Sequence, residues 1–203
     1  MMHRHHALRL WQLLWGLALY GFSMALMLRA HLGLDPWDVL HQGLAPKLGL
    51  SFGMTVNLVG GLVLLLWWPL RQRPGFGTIA NILVIGTAVD LSLMILPTPE
   101  GYVLRAAWLV AGIVLNGIAG GAYIGAGMGP GPRDGLMTGL CRHNGWPVKW
   151  VRTGIEIGVL AIGWLLGGTV GVGTILYAAT IGWIVHHALP WFRIAAIERQ
   201  TSA

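Results

Sequence analysis

Apolar positions in this chain come in long runs, where a soluble protein would show stripes or alternation. Six stretches of about twenty mostly apolar residues, about 9 to 29, 50 to 70, 76 to 96, 105 to 126, 148 to 166 and 172 to 191, are separated by short breaks rich in Gly, Pro or charge. About twenty apolar residues are what a helix needs to cross the hydrocarbon core of a bilayer. The pattern predicts an all-α membrane protein with six transmembrane helices and nothing left over for a soluble domain. The first run follows basic residues, but it is longer than a signal core, lacks a small-x-small cleavage site and has an internal counterpart, so it reads as a mature span.

The runs are duplicated. Gly33, Pro36, Asp38, Leu40, Gly43, Leu44 and Gly49 reappear 96 positions later as Gly129, Pro132, Asp134, Leu136, Gly139, Leu140 and Gly145. The same offset carries Gly75, Gly77, Thr78, Ile79, Ile85 and Gly86 onto Gly171, Gly173, Thr174, Ile175, Ile181 and Gly182, and Arg9, Gly16 and Gly21 onto Arg105, Gly112 and Gly117. Roughly a quarter of paired positions are identical without a gap, too many for composition alone. The chain reads as one integral membrane domain over residues 1–203, built from a repeat at about 9–97 and another at about 105–193. Three spans per repeat is an odd number, so the second copy enters from the opposite side: a 3+3 inverted repeat of the kind found in many transporters.

Each repeat carries a short helix after its first span. Asp35-Pro36 and Gly131-Pro132 read as an N-cap followed by proline in the first turn, with Asp38 or Asp134 two residues on, and Gly49 and Gly145 as C-terminal stops. About a dozen helical residues reach roughly 18 Å, half a bilayer. The segment is re-entrant or interfacial, and the sequence leaves both placements open.

Composition and charge refine this picture. The chain is 55% hydrophobic and 10% charged, with a formal net charge of +6. Ten cations (Arg4, Arg9, Arg71, Arg73, Arg133, Arg142, Lys149, Arg152, Arg193, Arg199) fall on the side of the N-terminus and three (Arg29, Lys47, Arg105) on the other. This positive-inside bias predicts cytoplasmic N- and C-termini and removes the reason to expect nucleic acid. The lone Cys141 excludes an internal disulfide.

Ionisable residues inside a span are costly and need a reason. Asp90, Glu156, His186 and His187 are such residues; Asp90, Glu156 and His186, with Asp38, Asp134 and Arg133, form the expected substrate or ion pathway. Each has a plainer role: Arg152 lies one turn before Glu156 and can neutralise it, the histidines can sit among headgroups, Asp38 and Asp134 can serve as caps, and Arg133, whose counterpart is Trp37, can answer the positive-inside rule. Gly117, Gly121 and Gly125, and Gly154 and Gly158, recur every four residues and predict close helix packing. Tryptophans near span ends match an aromatic belt. His3, His5 and His6 have no spaced partner to complete a metal site. No nucleophile elbow or phosphate loop is present, so neither an enzyme nor a cofactor is expected.

GLDPWD (Gly33 to Asp38) and GPGPRDGL (Gly129 to Leu136), set in duplicated membrane helices, resemble the YczE/YyaS/YitT family of bacterial integral membrane proteins. The resemblance implies a bacterial cytoplasmic-membrane location and a repeated-unit fold, and lends neither substrate nor catalytic residues. The architecture leads to a small transporter or facilitator of an unidentified solute. The alternative is a membrane accessory or scaffold protein. A substrate-binding subunit of an energy-coupling-factor transporter is similar in size, but its Ala-x-x-x-Ala patch is broken here, since Phe22 follows Ala18 by four. The expected partners are the bilayer and a small solute, with a homo-oligomer left open.

Overall fold

The computed structural model describes residues 2–193. Arg199 lies outside the described residues, as do the side chains of His3, Arg4 and His5. Among the described residues eight helices follow one another: α1 (Met2–Ala30), α2 (Pro36–Leu48), α3 (Phe52–Leu65), α4 (Phe76–Ile95), α5 (Tyr102–Gly125), α6 (Pro132–Asn144), α7 (Val148–Leu165) and α8 (Val172–Phe192). Four of them, α1, α4, α5 and α8, are long and apolar enough to cross a membrane, and α2 with α3 forms a fifth candidate bent by 108°.

Two expected spans differ from the pattern. The run from 50 to 70 is apolar throughout, yet α3 stops at Leu65, because Leu66 to Arg71 curl into successive turns ahead of Pro74. Its 14 residues extend roughly 21 Å, short of the hydrocarbon core. Helix α7 has 18 residues but carries Lys149, Arg152 and Glu156, too much charge for an ordinary lipid-facing span.

The two short helices are alike in detail. Cap residues Asp35 and Gly131 share φ −63° and ψ 159°, Pro36 and Pro132 open the helices, and Gly49 (φ 66°) and Gly145 (φ 69°) close them in the left-handed conformation. The loops leading in repeat as well. Gly33 (φ 110°) and Gly129 (φ 125°) adopt backbone that L side chains rarely do. There the chain passes against the other half: a Cβ on Gly33 would lie 2.7 Å from Gly171 N, and one on Gly129 3.1 Å from Gly75 Cα.

The halves meet reciprocally. Arg9 donates from Nε to Ala126 O (2.8 Å) and from Nη2 to Gly127 O (2.6 Å), and Arg105, its counterpart at 96 positions, donates to Ala30 O (2.7 Å) and His31 O (2.8 Å). Gly77 N bonds Met128 O at 2.8 Å while Gly173 N bonds Leu32 O at 2.7 Å. Each arginine satisfies the orphan carbonyls at the negative end of the other half's first helix. Replacing either with Gln is expected to cost about 1.5 to 3 kcal/mol, the range of charge-assisted hydrogen bonds. The two losses should be similar, which thermal unfolding in detergent would check.

Helices α1 and α5 cross at the centre, with α4 packed on α1 and α8 on α5. Gly117, Gly121 and Gly125 seat α5 against Ile184, Ala188 and Phe192 of α8. The expectation for Gly154 and Gly158 is corrected: a Cβ at either would meet nothing within 4 Å, because that face of α7 points away from the other helices of the chain.

Likeness ends at α7. Helix α3 lies along α4, with Gly53 against the carbonyl of Gly86. The counterparts of those glycines are Lys149 and Gly182, and α7 scarcely touches α8. Conversely α2 packs closely on α7 through Gly43, Gly163 and Gly168, while the corresponding pair, α6 and α3, touches less.

Candidate functional site

The N-terminal ends of α2 and α6 converge on one cavity of about 450 Å³, within the range of small-molecule sites. Their C-terminal ends, Lys47 to Gly49 and Arg142 to Gly145, are exposed. The local sequence explains the inward ends. Pro36 sets the first turn, and Asp35 Oδ1 accepts from Trp37 N (2.8 Å) and Asp38 N (2.9 Å). This holds the Asp35 carboxylate at the cavity wall, with its Oδ2 buried and unpartnered among the described residues. Asp38 is fully buried behind that wall, its Oδ1 3.1 Å from His41 Nδ1 one turn on. In α6 the cap position is Gly131, so no side chain closes the helix end.

Arg133 links the two helix ends. Its Nη1 is 3.7 Å from Asp35 Oδ1, its Nη2 3.7 Å from Asp38 Oδ1, and its Cζ lies 5.0 Å from the ring centre of Trp37. Trp37 and Arg133 are each other's counterparts in the repeat, so equivalent residues stack on one another. Asp134 takes a hydrogen bond from Tyr123 Oη at 2.8 Å. Asn116, buried within α5, donates to Ser23 Oγ (2.9 Å) and accepts from Tyr177 Oη (2.9 Å). Tyr20 and Asn81, the counterparts of Asn116 and Tyr177, line the same cavity. Tyr and Asn thus exchange places between the halves.

Of the residues singled out from sequence, Arg133, Asp134, Glu156 and His186 line the cavity. Asp38 stands immediately behind it. Neither Asp38 nor Asp134 caps its helix: Asp35 caps α2, and α6 has no side-chain cap. Glu156 pairs with Arg152 (Nε to Oε1, 2.8 Å) at the rim. Asp90 is elsewhere. It accepts from Ser51 Oγ and from Gly53 N (2.8 Å), closing the N-terminus of α3. Its counterpart His186 has no such partner in α7, because α7 stands away from α8, and it faces the cavity mouth with exposed Ile124, Arg152 and Gly182. His187 packs at a tilt against Trp183 and is not among the residues lining the cavity.

Sequence reasoning reads Asp35 as a cap only and passes over His41, Tyr20, Asn81, Asn116, Tyr123 and Tyr177. Two signals were present. Asn116 is a polar residue in an otherwise apolar span, and His41 lies one helical turn after Asp38.

Comparison with known proteins follows the same lines. Residues 7–190 match the model of a family described as "Family of unknown function (DUF6198)". The chain is 38% identical over 177 residues to an uncharacterized protein of Haemophilus influenzae, covering 87% of this chain and 81% of that one. It is 36% identical to the uncharacterized membrane protein YczE of Bacillus subtilis (86% and 82% covered), and 23% identical to YyaS of the same organism (86% and 89%). No solved structure matches. The apolar helices and the likeness to a relative named as a membrane protein agree on a membrane protein, and the chain belongs to the DUF6198 family.

Proposed function

We propose that the protein is a small-solute transporter of the bacterial cytoplasmic membrane, built as a 3+3 inverted repeat with both termini in the cytoplasm. Reciprocal contacts support the inversion: a residue of the first half acts on the second as its counterpart acts on the first, the signature of a two-fold operation. Counting α3 with the turns to Arg71 as one pass, and α7, which lines the cavity, as another, each half has three passes and the axis lies in the membrane plane. Helices α2 and α6 are then half-helices that rise from the middle of the bilayer to opposite faces.

The observation that carries transport is the unequal state of equivalent contacts. Helices α2 and α7 are closed where α3 and α6 pack less, and α3 lies on α4 where α7 leaves α8. With the termini inside, the mouth beside His186 and Arg152 opens to the cytoplasm and the α2–α7 contact seals the outer side. Exchanging the two arrangements between halves would open the cavity outward. A scaffold has no need of a buried polar cavity between two such states.

Asn81 tests this without knowledge of the solute. In a Cys141→Ser background, Asn81→Cys should react with a membrane-impermeant thiol reagent both from the outside of intact cells and from the cytoplasmic face of inverted vesicles. Reaction from the cytoplasmic face alone would end the transport reading.

A further inference from the structure

We infer that the cavity takes a small organic cation, an amine or amidine with an apolar body, and that Asp35 is the residue that reads its charge. This deepens the proposed transport function and rests on the cavity being its solute site. Four carboxylates, Asp35, Asp38, Asp134 and Glu156, stand at or just behind the wall against two guanidiniums, Arg133 and Arg152. Arg152 pairs with Glu156 at the rim, and Asp134 is engaged by Tyr123. The inner end is left with two buried carboxylates sharing one arginine.

That arginine does not satisfy them. It stands 3.7 Å from each Oδ1, beyond hydrogen-bond length, while Oδ2 of both Asp35 and Asp38 has no partner among the described residues. Asp38 is sealed off, but Asp35, 1% exposed, lines the cavity. A buried carboxylate short of donors is costly, so a cation held at the wall beside Asp35 is favoured. The surrounding surface suits such a ligand. Trp37 already carries the Arg133 guanidinium on its face at 5.0 Å, and Tyr20 and Tyr177 add aromatic surface that attracts cations. An anion would have to draw Arg133 away from both carboxylates and then sit among the remaining negative charge.

Benzylammonium, benzyl alcohol and benzoate, nearly equal in size, separate the charge classes. With purified protein in nanodiscs at pH 7, titration calorimetry should give saturable binding for benzylammonium and none for the other two. Asp35→Asn keeps a good helix cap, so it should fold, and it should bind benzylammonium about ten-fold or more weakly. Saturation by benzoate, binding indifferent to Asp35→Asn, or no saturation by benzylammonium would each overturn the inference. Transport is judged separately. Benzylammonium binding without two-sided labelling of Asn81→Cys would keep the cation site and remove the transporter, and two-sided labelling with benzoate binding would do the reverse.

Discussion

Arg133→Met is expected to be among the most damaging single substitutions in the chain, costing about 3 to 5 kcal/mol, the range for removing one partner of a buried ion pair. Asp35 and Asp38 are 1% and 0% exposed, and Arg133 is the cation placed against both. Without it, two carboxylates share a poorly solvated space with no countercharge. The loss is electrostatic, so it should be reversible by electrostatic means. Asp38→Asn added to Arg133→Met should restore part of the stability, whereas Asp38→Asn alone should cost less than Arg133→Met. Melting of the four variants in one detergent gives the coupling directly. Equal losses from Arg133→Met and Arg133→Lys would point to lost packing on Trp37.

The second large effect concerns size. Trp67 is 1% exposed, donates from Nε1 to Pro132 O at 3.0 Å, and lays its six-membered ring over Gly135, where any Cβ would collide with it. The equivalent contact in the other half is inverted in bulk: Gly163, the counterpart of Trp67, meets Val39 and Leu40, the counterparts of Gly135 and Leu136. One side uses a large residue against none, the other none against a medium one. Gly135→Val should therefore be destabilising by about 3 kcal/mol, at the upper end for overpacking, and Trp67→Gly by about 3 to 5 kcal/mol through the cavity it leaves. The pair together recreates the Gly163–Val39 arrangement and should be less damaging than the sum of the two. A strictly additive double variant in the same melting assay would mean that the contacts are not equivalent.

Much of this architecture is legible in the chain itself. The fixed offset of 96, the proline starts and the glycine stops identify two short helices from sequence alone, because they are local rules of caps and backbone conformation. What could not be read depends on how helices lean on one another. Leu66, Trp67 and Trp68 look like the continuation of a span, yet they leave the helix so that Trp67 can reach α6. Asp90 and His186 are equivalent in sequence and differ in surroundings, since Gly53 lets α3 lie against α4 and Lys149 stands at the corresponding place on α7. Glycine spacing on α5 and α7 looks the same, but only α5 has a neighbour against that face. Asp35 reads as a cap because its first oxygen is one, and only the fold brings the residue to the cavity wall with its second oxygen unpartnered among the described residues.

The proposed reading depends on opposite threading of the two halves, and that threading can be tested at one pair of positions. Leu48 and Asn144 are counterparts at the exposed ends of the two short helices. With Cys141→Ser as background, Leu48→Cys should be labelled by an impermeant maleimide on intact cells, and Asn144→Cys only after the membrane is permeabilised. Labelling of both from the same side would contradict the inverted arrangement.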